Sequence, residues 1–168
     1  MQGDLRRLLV LGVGNVLLRD EGIGVHAVRE LRQRGYPPEV EIVDGGTAGL
    51  DLLHFIEDAS HLIVIDAVNG GAAPGTLFRF TPEELDGCVP VSGYSLHGVG
   101  LLEVLHLARA MGVLPPTVIF GIQPADLSWG TELSAPVAAR LPRLLELIHE
   151  EIESWLTTAK LRLEAMEG

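Results

Sequence analysis

The sequence predicts an α/β fold: a three-layer sandwich whose mostly parallel, twisted sheet of about five strands carries helices on both faces. Three observations predict it. Short strand-like stretches recur at 8–11, 40–43, 61–66 and 117–122, the first of them a continuous apolar run suited to a buried strand. Stretches with helical spacing separate most of these runs. Gly, Pro and Asp residues punctuate their ends. With 168 residues, 47% of them apolar, the chain has material for one substantial core. The expected organisation is a single domain over residues 1–168.

The first run, "LLVL" at 8–11, ends in Gly12-Val13-Gly14-Asn15 and so reads as a strand feeding a glycine turn. In the helix that follows, Ile23, Ala27, Val28 and Leu31 share a face, with Arg29, Glu30 and Arg32 outside. Gly35 and then Pro37-Pro38 terminate it. The second strand, 40–43, stops at "DGGTAG", and a short helix over about 48–57 carries Leu50, Leu53 and Phe55. "HLIVID", 61–66, is the third and most central strand. After it, Pro74 and the alternation around Arg79 suit a short edge strand at 76–80. A loop through "PVSGYSLHG" opens a helix at about 98–111, with Leu101, Leu102, Leu105 and Ala108 inward. "TVIFGI", 117–122, is another strand. Ser134 is the expected N-cap of a last helix reaching about residue 158. Its buried stripe is Val137, Leu141, Leu144, Ile148, Ile152 and Leu156, and Pro142 bends it or marks where its regular part begins.

Composition excludes several function classes. A formal net charge of −11 offers no surface to a polyanion, so nucleic acid is not an expected partner. No apolar run reaches the ~20 residues needed to span a bilayer. Basic residues ahead of the first run imitate a secretory signal, yet Asp4 precedes the run and no small-residue cleavage site follows it. Cys88 is the one cysteine, which permits no intramolecular disulfide and fits a reducing compartment. It reads as a half-buried thiol rather than a nucleophile. The expectation is a cytoplasmic protein, not inserted in a membrane and monomeric when free.

Ligands of such sheets gather beyond the carboxyl ends of the strands. The first strand leads to Asn15, Asp20 and Glu21, the second to Asp44 and the third to Asp66, while the loop before the later helix supplies His97. Taken singly, each has an ordinary role. Asp20 can be a helix N-cap, Glu21 a first-turn acid, Asp44 and Asp66 turn formers, and His97 a surface residue at a helix start. Taken together, Glu21, Asp66 and His97 offer two carboxylates and an imidazole, donors that suit a borderline divalent metal such as nickel or zinc. The helix dipole disfavours a protonated imidazole at a helix N-terminus and favours an ionised carboxylate there. A dinucleotide site is the competing reading, with Asp44 standing where a ribose-binding acid belongs. Against it, "GVGNVL" holds only two glycines of the fingerprint, and Glu21 would repel a pyrophosphate. No Ser–His–Asp or Cys–His set supports a covalent intermediate.

Four blocks, "LGVGNVLLRDEGIGV", "DGGTAG", "IVIDAV" and "SLHGVGL", follow one another in this order. With them the chain resembles the hydrogenase maturation endopeptidases, and the likeness extends over nearly its whole length. The resemblance implies removal of a C-terminal peptide from the precursor of a nickel-iron hydrogenase large subunit, after nickel insertion. It implies metal contacts at Glu21, Asp66 and His97 and a functional role for Asp44, giving Asp44, Glu21, Asp66 and His97 as the candidate catalytic set. The nickel would arrive on the substrate, with zinc or cadmium as substitutes in vitro. Two chemistries stay open: a metal that polarises the carbonyl or acidifies a water, or carboxylates acting in aspartic-protease style with one raised pKa. A protein that checks for nickel in the precursor without cutting it would use the same ligands.

Overall fold

A computed structural model of the protein describes residues 6–84, 89–91 and 100–168. β1 (Leu8–Val13) is buried at every position, because it runs between two parallel neighbours with helices above and below. β2 (Val40–Gly46) pairs with it on one side and β3 (His61–Asn69) on the other. β6 (Thr117–Ile122) continues the parallel set beside β3, and β4 (Leu77–Phe80) lies antiparallel at the edge. Among the described residues the order is β2-β1-β3-β6-β4, with the two-residue β5 (Val89–Pro90) antiparallel to the end of β3. The α/β class, the mostly parallel sheet and the edge position of the fourth strand are as the sequence indicates.

Strand parity sorts the core into two layers. Leu8, Val10, Ile63, Ile65 and Phe120 face α1 (Ile23–Arg32) and α4 (Ala135–Glu167). Leu9, Leu11, Val64, Val68 and Ile119 face α2 (Leu52–Glu57) and α3 (Leu101–Ala110). Each large apolar side chain so buried stabilises the fold by about 1.5–3 kcal/mol. The expected stripes of α1 and α4 are the observed ones, with Leu141 and Leu156 half-buried at the margins. Glycines set the distance between α1 and the sheet. A Cβ on Gly24 would stand 2.2 Å from the Ile65 carbonyl oxygen, and one on Gly12 would stand 2.1 Å from that of Gly24.

Several boundaries differ from the sequence expectation. β1, β2 and β3 each run past their apolar cores, so Asp44 and Asp66 lie within strands rather than ending them. Backbone pairing continues there: Asp66 pairs with Gly121, and Val68 and Asn69 pair with β5. Leu50 is exposed in a 3-10 turn, and α2 buries Leu52 and Ile56 instead. In α3, Val104 is buried and Leu102 only half-buried, since the i, i+3, i+4 face runs through 101, 104, 105 and 108. Ser134 is the N-cap of α4 by position, but its side chain makes no capping bond. Pro142 lies inside one continuous helix. The bond it cannot donate would go to Ala138, an exposed residue whose carbonyl can meet water. That helix also runs on to Glu167, because Ala, Lys, Leu, Arg and Glu propagate it without a core face.

The chain leaves β1 through α1 to β2 on one side, whereas β3 leads toward β6 on the other. The carboxyl ends of β1 and β3 therefore flank a topological switch point, the crevice where ligands of such sheets bind.

Candidate active site

Glu21 sits in a 3-10 turn, Arg19–Gly22, between β1 and α1. Gly14 makes that position possible. Its φ is +130°, and a Cβ there would stand 1.8 Å from the Glu21 carbonyl oxygen, so only a bare backbone fits beneath the turn. The Glu21 N–H donates to the Leu18 carbonyl at 3.1 Å, and the turn packs against β3. Glu21 is half-buried. Loss of water around its carboxyl raises the pKa above the ordinary glutamate value.

Asp66 is fully buried. Gly12 pairs with Ile65 in the last β1–β3 rung, so Asp66 stands one residue further, level with the start of the glycine turn. Its Oδ1 accepts the Ala67 N–H at 2.8 Å. Glu21 and Asp66 thus belong to the same end of two adjacent central strands. Parity puts the Asp66 side chain on the sheet face covered by α2 and α3.

Asp44 is arranged differently. It pairs with Gly12, as does Ile65, so its side chain shares the α1 face with Ile65 and not the face of Asp66. Its Oδ2 lies 3.5 Å from Arg29 Nη2 of α1. The strand spacing puts it about 9–10 Å from β3 across the sheet. The Glu21 turn thus packs on the strand that carries Asp66, whereas Asp44 lies on the opposite sheet face. His97 and Cys88 lie outside the described residues. Among the described residues, no three His, Cys, Asp or Glu side chains group to hold a metal.

A sheet whose switch point carries a glycine-supported glutamate and a buried aspartate can be compared with known folds and families. The family model for hydrogenase maturation proteases matches residues 25–151, from α1 into α4. This chain belongs to that family. It is an endopeptidase, a hydrolase of peptide bonds. The hydrogenase expression/formation protein HupD of Bradyrhizobium diazoefficiens is 40% identical over 159 residues, covering 93% of this chain and 83% of the relative. The hydrogenase 2 maturation protease of Escherichia coli K12 is 41% identical over 145 residues, covering 84% of this chain and 88% of the relative. Among solved structures, the hydrogenase maturating endopeptidase HybD from E. coli superposes with a TM-score of 0.77 at 38% identity. That match covers 88% of this chain and 93% of the other. No helix among the described residues is long and apolar enough to cross a membrane.

The protease carries one polar device that sequence reasoning misassigns. Asp20, expected as an N-cap of its own helix, makes no such cap. It is fully buried, and its carboxylate accepts the Ala125, Asp126 and Ser134 N–H groups at 2.8, 2.9 and 2.8 Å. The Ser134 hydroxyl donates to it at 2.7 Å. One carboxylate thus satisfies the loop after β6 and the first residue of the α4 entry. The same loop is laced to the Glu21 turn through its backbone. Arg19 N–H donates to the Gly130 carbonyl at 3.0 Å, and Asp20 N–H to that of Asp126 at 3.1 Å. Arg19 adopts φ +47°, the left-handed region that an ordinary side chain enters only when its surroundings demand it. No local signal reveals this clamp, because the partners of Asp20 lie 105 to 114 residues away.

Proposed function

We propose that this protease removes the C-terminal extension of a nickel-iron hydrogenase large-subunit precursor once nickel has been inserted, and that Glu21, Asp66 and His97 meet the nickel carried by that substrate. The observation that carries the reading is the packing of the Glu21 turn, which follows β1, against β3, the strand that holds the buried Asp66, beside the switch point. Two carboxylates at one partly desolvated rim oppose each other when both are ionised, and Glu21 already bears a desolvation penalty. A divalent cation brought by the substrate reverses the sign of that interaction, most effectively where water is displaced on docking.

Hydrolysis adds water across the scissile C–N bond, with hydroxyl to the carbonyl carbon and a proton to the departing amine. Glu21 and Asp66 orient the incoming metal so that the adjacent carbonyl is polarised or a water beside it is acidified. His97 completes the donor set as a neutral imidazole. Asp44 acts from the α1 side, where it lies 3.5 Å from Arg29 Nη2, and so supports the peptide path rather than the reacting atoms.

The test incubates the purified protease with apo and nickel-loaded precursor under identical conditions. A shortened large subunit from the loaded precursor alone is the expected result. Equal cleavage of both forms would overturn the nickel-dependent reading and leave a carboxylate mechanism. A stable complex of two intact chains would replace the peptidase with a nickel checkpoint.

A further inference from the structure

The rim around Glu21 is apolar as well as acidic. Trp129 is 76% exposed, Leu17 50% and Leu127 41%. Leu17 and the Trp129 segment are tied together, since Gly130 N–H donates to the Leu17 carbonyl at 2.9 Å. Leu127 continues the patch into a groove of about 380 Å³ with Val89, Val91, Pro124 and Ala125, beyond the carboxyl ends of β3 and β6. Two amide side chains also line the groove, but they are committed. Gln123 Oε1 accepts the Gly70 and Ala72 N–H groups at 2.9 and 3.3 Å, and its Nε2 donates to Asn69 Oδ1 at 3.3 Å. What faces outward is mainly hydrocarbon. Single exposed apolar residues are ordinary, whereas a connected patch holding a tryptophan beside an active site marks a recognition surface.

We propose that Leu17, Leu127 and Trp129 form the surface on which the precursor docks, with an apolar side chain from the segment beside the scissile bond seated in the Leu127 groove. The inference rests on the function proposed above and names the residues that recognise that substrate. Two observations select the precursor over a second copy of this chain. The patch shares a backbone ladder with the Glu21 turn, and Asp20 locks the two together, so an occupant of Trp129 lies alongside Glu21. A second copy would also bring a net charge of −11 against −11, which opposes self-association. The clamp gives docking a mechanical consequence: the surface that binds and the carboxylate that meets the metal move as one body.

The experiment measures steady-state cleavage of nickel-loaded precursor by Trp129→Ala and Leu127→Ser, with Met166→Ala at the exposed end of α4 as the remote control. KM should rise about tenfold or more for Trp129→Ala, the loss expected of a hot-spot aromatic, while kcat stays within about twofold. Leu127→Ser should act in the same direction and Met166→Ala should match the wild type. Thermal melting confirms the fold of each variant, and Leu127→Ser decides the matter if Trp129→Ala melts early. A wild-type protease that leaves every precursor intact would sink the parent reading. Normal wild-type cleavage with an unchanged KM in both patch variants would overturn this inference alone. So would a fall in kcat at constant KM, or a concentration-dependent dimer in sedimentation that Trp129→Ala abolishes without altering KM.

Discussion

Substituting Gly14 separates the aiming of Glu21 from the integrity of the core. An alanine Cβ would lie 1.8 Å from the Glu21 carbonyl oxygen and 2.9 Å from its carbonyl carbon. Real Cβ contacts essentially never fall below 3.0 Å, so the turn must retreat by more than an ångström or the glycine loop must rebuild. The residue would also have to hold φ +130°, a strained conformation that costs about 1–3 kcal/mol. At roughly 2–4 °C per kcal/mol for a chain of this size, the melting temperature should fall by about 2–12 °C, leaving the variant folded at 25 °C. Activity should suffer more, because a displacement of about 1 Å in a positioning element can cost on the order of 100-fold in rate. The assay is kcat/KM on nickel-loaded precursor at 25 °C, with melting curves recorded in parallel. Gly35→Ala is the control: its φ is +71°, yet nothing lies within 4 Å of its Cβ position. It should lose stability of similar size and no activity. A folded Gly14→Ala enzyme whose kcat/KM lies within about threefold of wild type would refute the claim that this glycine aims Glu21.

Other perturbations probe separate parts of the site. Asp20→Ala takes the acceptor from three N–H groups on partly exposed loop residues and should cost about 1–3 kcal/mol in urea unfolding, with the loop after β6 becoming accessible to protease first. Glu21→Gln should abolish most cleavage without loss of fold. Burial raises the folded-state pKa of Glu21 above 4.5, so the wild-type group favours folding below that pH and loses this contribution as pH rises through the folded value. The glutamine variant should therefore melt at or above the wild type at pH 7, and the gap should shrink below pH 4.5; a widening gap in acid would contradict the assigned cause. On the proposed contact between the ionised Glu21 and nickel, the acid limb of the pH–rate profile should lie above the ordinary glutamate value and vanish in Glu21→Gln. Asp44→Asn should slow cleavage less than Asp66→Asn, because Asp44 is paired with Arg29 on the opposite sheet face. Equal losses in kcat would place Asp44 at the reacting atoms.

The sequence by itself determined the layers. Runs such as "LLVL" and "HLIVID" can satisfy their apolar faces only between helices, and the stripes through Val28 and Leu31 or Ile148 and Ile152 supply those helices with the correct period. It also pointed to Glu21 and Asp66 as candidates, because the apolar runs give way there to glycine and acid, although β3 itself continues past Asp66 to Asn69. What it could not determine was which side of the sheet each acid faces. Asp44 and Asp66 both close an apolar run, yet the register Gly12 with Asp44 and Gly12 with Ile65 sends their side chains to opposite faces. A shift of one residue would exchange them, and register is set by the neighbouring strands rather than by local sequence. The role of Asp20 was equally invisible. Its carboxylate serves N–H groups at 125, 126 and 134, and only the return of the chain after β6 to the carboxyl end of β1 brings them within reach. The exposed patch of Leu17, Leu127 and Trp129 arises in the same way, from two loops with no sequence relation that the sheet holds side by side. Periodicity and turn chemistry are local properties of a chain; the pairing of distant loops depends on the assembled sheet, and only the tertiary structure supplies it.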